Sequence, residues 1–173
     1  ESGKWLVSLE PMSAGGPYEI HVKGLENEFL IKDVLFGDVW ICSGQSNMEW
    51  TVKHSNNPDE EIANAKDSKI RHFKVPHSTA NQPEQELAGG EWKVCSPENA
   101  GDFTAVGYYF ARELRKHVDV PIGLLNTSWG GSRVEPWMSA ESLDIRDVDN
   151  LLAEVEKAAK ARFQNQLNKM RGR

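Results

Sequence analysis

Long apolar runs are missing from this sequence. No stretch approaches the roughly 18 apolar residues that a membrane-spanning helix needs. The chain starts at Glu1 without the basic and then apolar segments of a secretory signal peptide. A trimmed exported chain would start in the same way, so the missing leader does not decide the compartment. The sequence predicts no membrane partner.

Positive charge is also scarce. The formal net charge is −6 and the isoelectric point is about 5.4. Basic residues cluster only at Lys169, Arg171 and Arg173, where they complement the C-terminal end of a predicted helix. A nucleic-acid partner would need a basic stripe, and none is present.

Only two cysteines occur, Cys42 and Cys95. They could pair in an oxidising compartment. Cys42 ends an apolar strand, however, and a buried free thiol is the favoured interpretation.

The residues that are present describe an ordinary globular chain. The 173 residues suffice for one domain with a core and hardly for two. Residues 1–33 alternate or run apolar at 5–9, 18–22 and 29–31, which predicts three strands between Gly and Pro turns. Three strands alone bury little, so residues 1–33 are interpreted as the end of an N-terminal β-domain.

Residues 34–173 have an α/β pattern. The continuous apolar runs 39–42 and 120–125 predict strands buried on both faces, with a further strand at 70–75. Helices are predicted at 58–65, 103–117 and 148–170, and residues 76–102 read as a long surface excursion. The core-facing stripe of the second helix is predicted to hold Phe103, Val106, Phe110 and Leu114. Strand, helix and strand in succession predict a parallel pair.

Two glycine-rich turns follow the buried strands. The first contains Gly44 and Ser46, and the second contains Gly130 and Gly131. Ligands bind outside the carboxyl ends of parallel strands, so both turns can face one crevice. The Ser46 hydroxyl could attack an ester there while the N–H groups of Ser46 and of a glycine stabilise the oxyanion. Each turn alone is weak evidence. The hypothesis of a serine nucleophile rests on the occurrence of two such turns, each directly after a predicted buried strand.

A base for the serine is not apparent. The five histidines are His21, His54, His72, His77 and His117. None has an acidic residue three positions ahead of it, and His117 suits the end of a helix. The sequence therefore presents a nucleophile without its proton acceptor.

Residues 37–50, GDVWICSGQSNMEW, closely resemble the nucleophile block of the sialate O-acetylesterases, a branch of the SGNH-type hydrolases. Residues 120–137 resemble their second block. The resemblance implies an SGNH-hydrolase-like three-layer α/β/α fold with a parallel sheet, incomplete here and preceded by strands of a β-sandwich-type domain. Residues 34–173 would be the first half of the esterase domain.

The resemblance also implies a function. Ser46 would be the catalytic nucleophile, and the oxyanion hole would use the amides of Ser46, Gly130 and Gly131. The substrate would be an acetylated sugar or glycan, without metal or organic cofactor, and the protein would be secreted or periplasmic. A later block with Asp-x-x-His belongs to the missing C-terminal part of the catalytic domain, which is the expected partner.

Four neighbouring residues are candidate substrate contacts: Gln45, Asn47, Trp129 and Arg133. The alternative roles are turn formation for Gln45 and Asn47, core packing for Trp129, and an ion pair with Glu135 for Arg133. Two other functions remain open. One is a non-catalytic scaffold or carbohydrate-binding fragment of a larger assembly. A cysteine hydrolase using Cys42 is disfavoured, because the thiol lies within the strand and has no basic neighbour.

Overall fold

A computed structural model describes residues 5–80 and 82–171. These residues form two compact units. The first comprises the described residues up to His77 together with Leu87–Gly131. The second comprises the described residues of Ser78–Glu86 and of Ser132–Arg173.

An antiparallel hairpin opens the first unit. Strand β1 (Gly15–Lys23) pairs with β2 (Glu28–Phe36), and the N–H of Gly24 closes the turn on the carbonyl of Asn27 at 2.7 Å. The predicted strands at 18–22 and 29–31 are confirmed within it. The predicted strand at 5–9 is wrong, because that segment is exposed and pairs with no described strand. Alternation defines two faces, but a strand also needs a neighbour for its backbone hydrogen bonds.

A mixed four-stranded sheet forms the centre of the first unit. Its strands are β3 (Asp38–Cys42), β4 (Ile70–Lys74), β5 (Trp92–Val94) and β6 (Ile122–Asn126). They lie in the order β3-β6-β4-β5. Strands β3 and β4 are both parallel to β6, and β5 is antiparallel to β4. The predicted parallel pair is confirmed, and β5 is a strand within the segment predicted as a surface excursion.

Four helices accompany the sheets: α1 (Ser46–Glu49), α2 (Pro58–Asn64), α3 (Ala105–Leu114) and α4 (Val148–Arg171). Short 3₁₀ turns cover Val52–His54, Ala100–Asp102 and Glu135–Trp137. Helix α4 belongs to the second unit and buries none of its described side chains. Among the described residues, no helix has the length and apolar character to cross a membrane.

The core lies between α3 and one face of the sheet. Ile70, Ile122 and Leu124 are buried on that face. Helix α3 contributes Tyr108 and Ala111, not the predicted Val106 and Phe110, which are exposed. The close approach of helix and sheet explains the difference, because a Cβ on Gly107 would lie 2.8 Å from the Cys42 Sγ atom. Position 107 therefore requires a residue without a side chain.

Strand β3 lies at the edge of the sheet. Val39, Trp40 and Ile41 are 60%, 44% and 69% exposed, so the prediction of burial on both faces is wrong for the described chain. An apolar run indicates what a strand can bury, and it does not show whether the covering layer is present. Trp40 packs edge to face on Phe110, with ring centroids 4.9 Å apart.

The hairpin is fastened to the sheet by one bidentate ion pair. Arg71 of β4 donates from Nη1 and Nη2 to the two carboxylate oxygens of Asp33 at 2.6 and 2.8 Å. This contact lowers the pKa of Asp33. Strand β2 continues through this position to Phe36.

Candidate active site

The two glycine-rich turns leave the sheet side by side. Cys42 and Asn126, the last residues of β3 and β6, are paired in the parallel register. Beyond them, the N–H of Thr127 donates to the Cys42 carbonyl and the N–H of Trp129 donates to the Gly44 carbonyl, each at 3.0 Å. The turns therefore open at one sheet edge, as the carboxyl-end rule predicts.

Ser46 begins helix α1 and is exposed. Gly44 precedes it in the turn and has a φ of 140°, a backbone conformation that residues with a side chain rarely adopt. The carbonyl of Gln45 accepts the N–H groups of Met48 and Glu49 at 3.1 and 3.0 Å and thereby starts the helix. Amides at the start of a helix have no partner within it, so the Ser46 N–H points out of the first turn.

Gly130 packs directly on the nucleophile turn. A Cβ at this position would lie 3.4 Å from the Ser46 Cα atom and 3.5 Å from its Cβ atom. The backbone of the second turn can approach this closely because glycine has no side chain. Gly131 has a φ of 77° and would have open space around a Cβ.

A carboxylate that no sequence pattern indicated lies between the turns. The N–H of Gly130 donates to Glu49 Oε2 at 2.6 Å. On the other oxygen, His77 Nε2 lies 3.0 Å and Lys74 Nζ 3.4 Å from Oε1. Burial raises the pKa of Glu49, but the Gly130 N–H and the charges of Lys74 and His77 outweigh it, so the net pKa is lowered. Glu49 is therefore an anion at neutral pH.

Lys74 and His77 also hold the second turn. Lys74 Nζ and His77 Nε2 donate to the Ser128 carbonyl at 2.9 and 3.0 Å. The His77 ring stacks on Trp129 with centroids 4.1 Å apart and planes inclined by 2°. Both polar contacts of His77 Nε2 are to acceptors, so this nitrogen carries a proton and does not serve as a base.

Buried polar groups support the turn from below. Asn126 Oδ1 accepts the N–H of Ser128 at 3.0 Å and its hydroxyl at 2.5 Å. Asn126 and Ser128 are 2% and 0% exposed. A buried amide with satisfied hydrogen bonds fixes a single loop conformation.

The other histidines have partners of their own, and His72 reaches the base of the glycine turn, where its Nε2 atom lies 3.4 Å from Asn126 Nδ2. His21 contacts Glu28, His54 Nδ1 lies 2.9 Å from the Thr51 hydroxyl, and His117 lies 3.6 Å from Glu113. His72 is buried, stacks on Phe103 with centroids 4.5 Å apart, and has its pKa lowered to about 4 by burial and then by the Lys74 charge.

Most of the predicted site residues therefore come together. Trp129, Gly130 and Gly131 adjoin the turn that holds Gln45, Ser46 and Asn47. Arg133 belongs to the second unit and is exposed. Glu49 and Lys74 were missed, and His77 was considered only as a base for the serine. Lys74 is the last residue of β4 and pairs with Asn126, a placement that depends on the order of the strands.

This architecture defines a class: α/β proteins with a serine turn and a glycine turn at the carboxyl edge of parallel strands. Residues 36–171 match the model of a family described as carbohydrate esterase, sialic acid-specific acetylesterase. The chain belongs to that family.

Curated relatives agree. The sialate O-acetylesterase of Homo sapiens is 38% identical over 154 residues, which cover 82% of this chain and 29% of the relative. The enzyme of that name from Rattus norvegicus is 39% identical over 161 residues, covering 86% and 30%. The chain thus spans about three tenths of the length of these relatives.

A solved structure is also similar. The crystal structure of a carbohydrate acetylesterase from Xanthomonas citri matches with a TM-score of 0.81 and 49% sequence identity. The match covers 86% of this chain and 34% of the other.

Proposed function

We propose that this chain supplies the nucleophile part of a carbohydrate O-acetylesterase, with Ser46 as the nucleophile. The observation that carries the proposal is the position of Ser46, exposed at the start of α1 and against the backbone of Gly130. The family and the names of the relatives support acetyl ester hydrolysis as the reaction.

The chemistry is acyl transfer in two steps. The Ser46 Oγ atom bonds to the acetyl carbonyl carbon as its proton passes to a base, and the carbonyl oxygen becomes an oxyanion. Amides of the two turns stabilise that charge, and one such donor lowers the barrier by about 3–4 kcal/mol. The tetrahedral species expels the sugar oxygen, which takes the proton, and leaves acetyl-Ser46. Water then attacks this ester, releasing acetate and restoring the hydroxyl.

The base and its orienting carboxylate come, in this proposal, from the rest of the parent polypeptide. The relatives are about three times longer than this chain. The exposed apolar edge at β3 supports a docking position for that part, because Val39, Trp40 and Ile41 are a strand without its cover. Further strands beside β3 and helices on the second sheet face would complete a three-layer α/β/α domain.

The substrate in this proposal is an acetylated sugar, a sialic acid or another glycan, encountered outside the cytoplasm. Trp129 is an aromatic platform beside the glycine turn, held by the His77 stack. Gln45 and Asn47 flank the nucleophile, and Arg133 follows the glycine turn in sequence. A guanidinium suits the carboxylate of a sialic acid.

The test uses the complete reading frame and, separately, this chain with the downstream segment added in trans. p-Nitrophenyl acetate and an O-acetylated sialic acid serve as substrates. Hydrolysis is expected in both formats and is lost in Ser46→Ala, whereas Ser68→Ala, at an exposed serine after α2, retains it. A folded complex with the same residual rate in wild type and Ser46→Ala would support the scaffold function instead.

A further inference from the structure

The Glu49 side chain links the nucleophile helix to the glycine turn. Glu49 is the last residue of α1, three positions after Ser46. Its Oε2 atom accepts the Gly130 N–H at 2.6 Å, and its Oε1 atom faces His77 and Lys74 at 3.0 and 3.4 Å. Both carboxylate oxygens therefore have hydrogen-bond donors, one in the backbone of the glycine turn and the other in the His77 and Lys74 side chains.

We propose that Glu49 is a positioning residue, which holds the Trp129–Gly130 peptide against Ser46 and commits the Gly130 amide to a structural hydrogen bond. The inference rests on the proposed esterase function. Because the Gly130 N–H already donates to Glu49, the oxyanion would be stabilised by the amides of Ser46 and Gly131 instead. Gly131 is exposed, and a Cβ built on it would meet no atom within 4 Å.

Contacts fix three consecutive residues of the glycine turn, Ser128, Trp129 and Gly130. The Ser128 carbonyl accepts from Lys74 and His77, and Trp129 stacks on His77 and donates its N–H to Gly44. The Gly130 contact adds a restraint that comes from the nucleophile's own helix. Movement of α1 is thereby transmitted to the turn, so the hydroxyl and the turn amides keep their mutual geometry.

A carboxylate suits this position because it offers two acceptors and no donor. A glutamine in its place has one acceptor and one NH₂ group, so either the Gly130 N–H or the Lys74 and His77 donors would face another donor. The positive charge of Lys74 also offsets that of the carboxylate. Without this compensation, an anion beside the nucleophile would oppose the developing oxyanion.

The Gly130 amide can be observed individually. Trp129–Gly130 is the only Trp-Gly pair among the six tryptophans of the sequence. Labelling with ¹³C-carbonyl tryptophan and ¹⁵N-glycine therefore gives one carbonyl-correlated amide signal. In Glu49→Gln, we expect its protection from hydrogen exchange to fall about 10- to 100-fold, as for loss of a hydrogen bond to a charged group. Glu60→Gln, at an exposed position of α2, is the matched control and leaves the signal unchanged.

Reactivity is measured as the rate at which a fluorophosphonate modifies Ser46 in the complete enzyme. Glu49→Gln should slow modification about 10- to 100-fold, the effect of a small misplacement, and lower kcat more than it raises KM. Lys74→Met, which removes one partner of the same carboxylate, should act in the same direction with a smaller effect.

The outcomes separate the two proposals. Unchanged Gly130 exchange in Glu49→Gln, or Ser46 modification as fast as in wild type, overturns the positioning role. Faster modification overturns it too, because Glu49 would then block the amide. If wild-type Ser46 does not react, the nucleophile proposal fails, while the exchange measurement still decides whether Glu49 holds Gly130. Amide dispersion elsewhere in the spectrum shows that each variant is folded.

Discussion

Cys42 and Asn126 end two neighbouring parallel strands at the same level of the sheet. This pairing places the serine turn and the glycine turn side by side, although about 80 residues separate them along the chain. The hydrogen bonds from Thr127 to Cys42 and from Trp129 to Gly44 continue the pairing beyond the sheet.

The two glycines of the second turn should respond differently to alanine. In Gly130→Ala, the new Cβ would lie 2.6 Å from Glu49 Oε2 and 3.4 Å from the Ser46 Cα atom, so the carboxylate must move and the turn must shift. We expect Ser46 reactivity to fall about 100-fold, as for a misplaced catalytic group.

Gly131→Ala is the matched comparison, because its Cβ meets nothing within 4 Å but its φ is 77°. It should lower the free energy of unfolding by about 1 kcal/mol through backbone strain. For both variants, the rate of fluorophosphonate modification measures the reactivity of Ser46, and urea unfolding measures the free energy of unfolding. Equal reactivity of Gly130→Ala and wild type would contradict the close packing of the two turns.

The buried His72 predicts a pH dependence of stability. Burial lowers its pKa to about 4, below the ordinary value of 6.5, so the unfolded chain binds the proton first as pH falls. Stability is complete above pH 6.5 and declines toward pH 4, by about 2 kcal/mol between pH 7 and pH 5. Urea unfolding at the two pH values measures it.

The variant His72→Asn removes this titrating group. Between pH 7 and pH 5, the unfolding free energy of the wild type should fall by about 2 kcal/mol because of His72. The unfolding free energy of His72→Asn should lack most of this decrease. An equal pH dependence in both proteins would show that His72 is not buried in its neutral form.

The edge strand β3 predicts a contrast between this chain and a longer polypeptide that contains the proposed covering part. Ile41 is 69% exposed, so Ile41→Lys should change the unfolding free energy of the 173-residue chain by less than about 0.5 kcal/mol. In the complete protein, where we propose that further strands cover β3, the buried charge should cost about 3 kcal/mol or more. Equal small effects in both would place the covering part elsewhere.

The cysteines should be inert in the native protein. Cys42 and Cys95 are free and buried, and burial raises the pKa of both thiols. Ellman's reagent should therefore react with neither until the chain is unfolded, and iodoacetamide should leave esterase activity intact. Rapid alkylation of Cys42 with loss of activity would revive a cysteine mechanism.

The sequence predicted the parts of the fold that periodicity controls. The strands at β3, β4 and β6 and the helices α2 and α4 follow from apolar runs and amphipathic spacing. The meeting of the two turns followed from a rule about parallel strands. The core face of α3 was not predictable in this way, because Gly107 faces the sheet where bulkier residues would collide.

The Glu49 contacts were beyond pattern reasoning for a different reason. Glu49, Lys74 and Gly130 come from three distant segments, and they meet because β6 lies between β3 and β4. Strand order is a tertiary property, and no local signal in these segments specifies it. The exposure of β3 likewise depends on which elements cover it.

The most direct measurement is the site at which a fluorophosphonate becomes attached in the complete protein, determined by peptide mass spectrometry. We predict a single adduct on Ser46, absent from Ser46→Ala and formed in parallel with loss of acetyl ester hydrolysis. An adduct on another residue such as Ser43, or hydrolysis that persists when Ser46 is replaced, would contradict it.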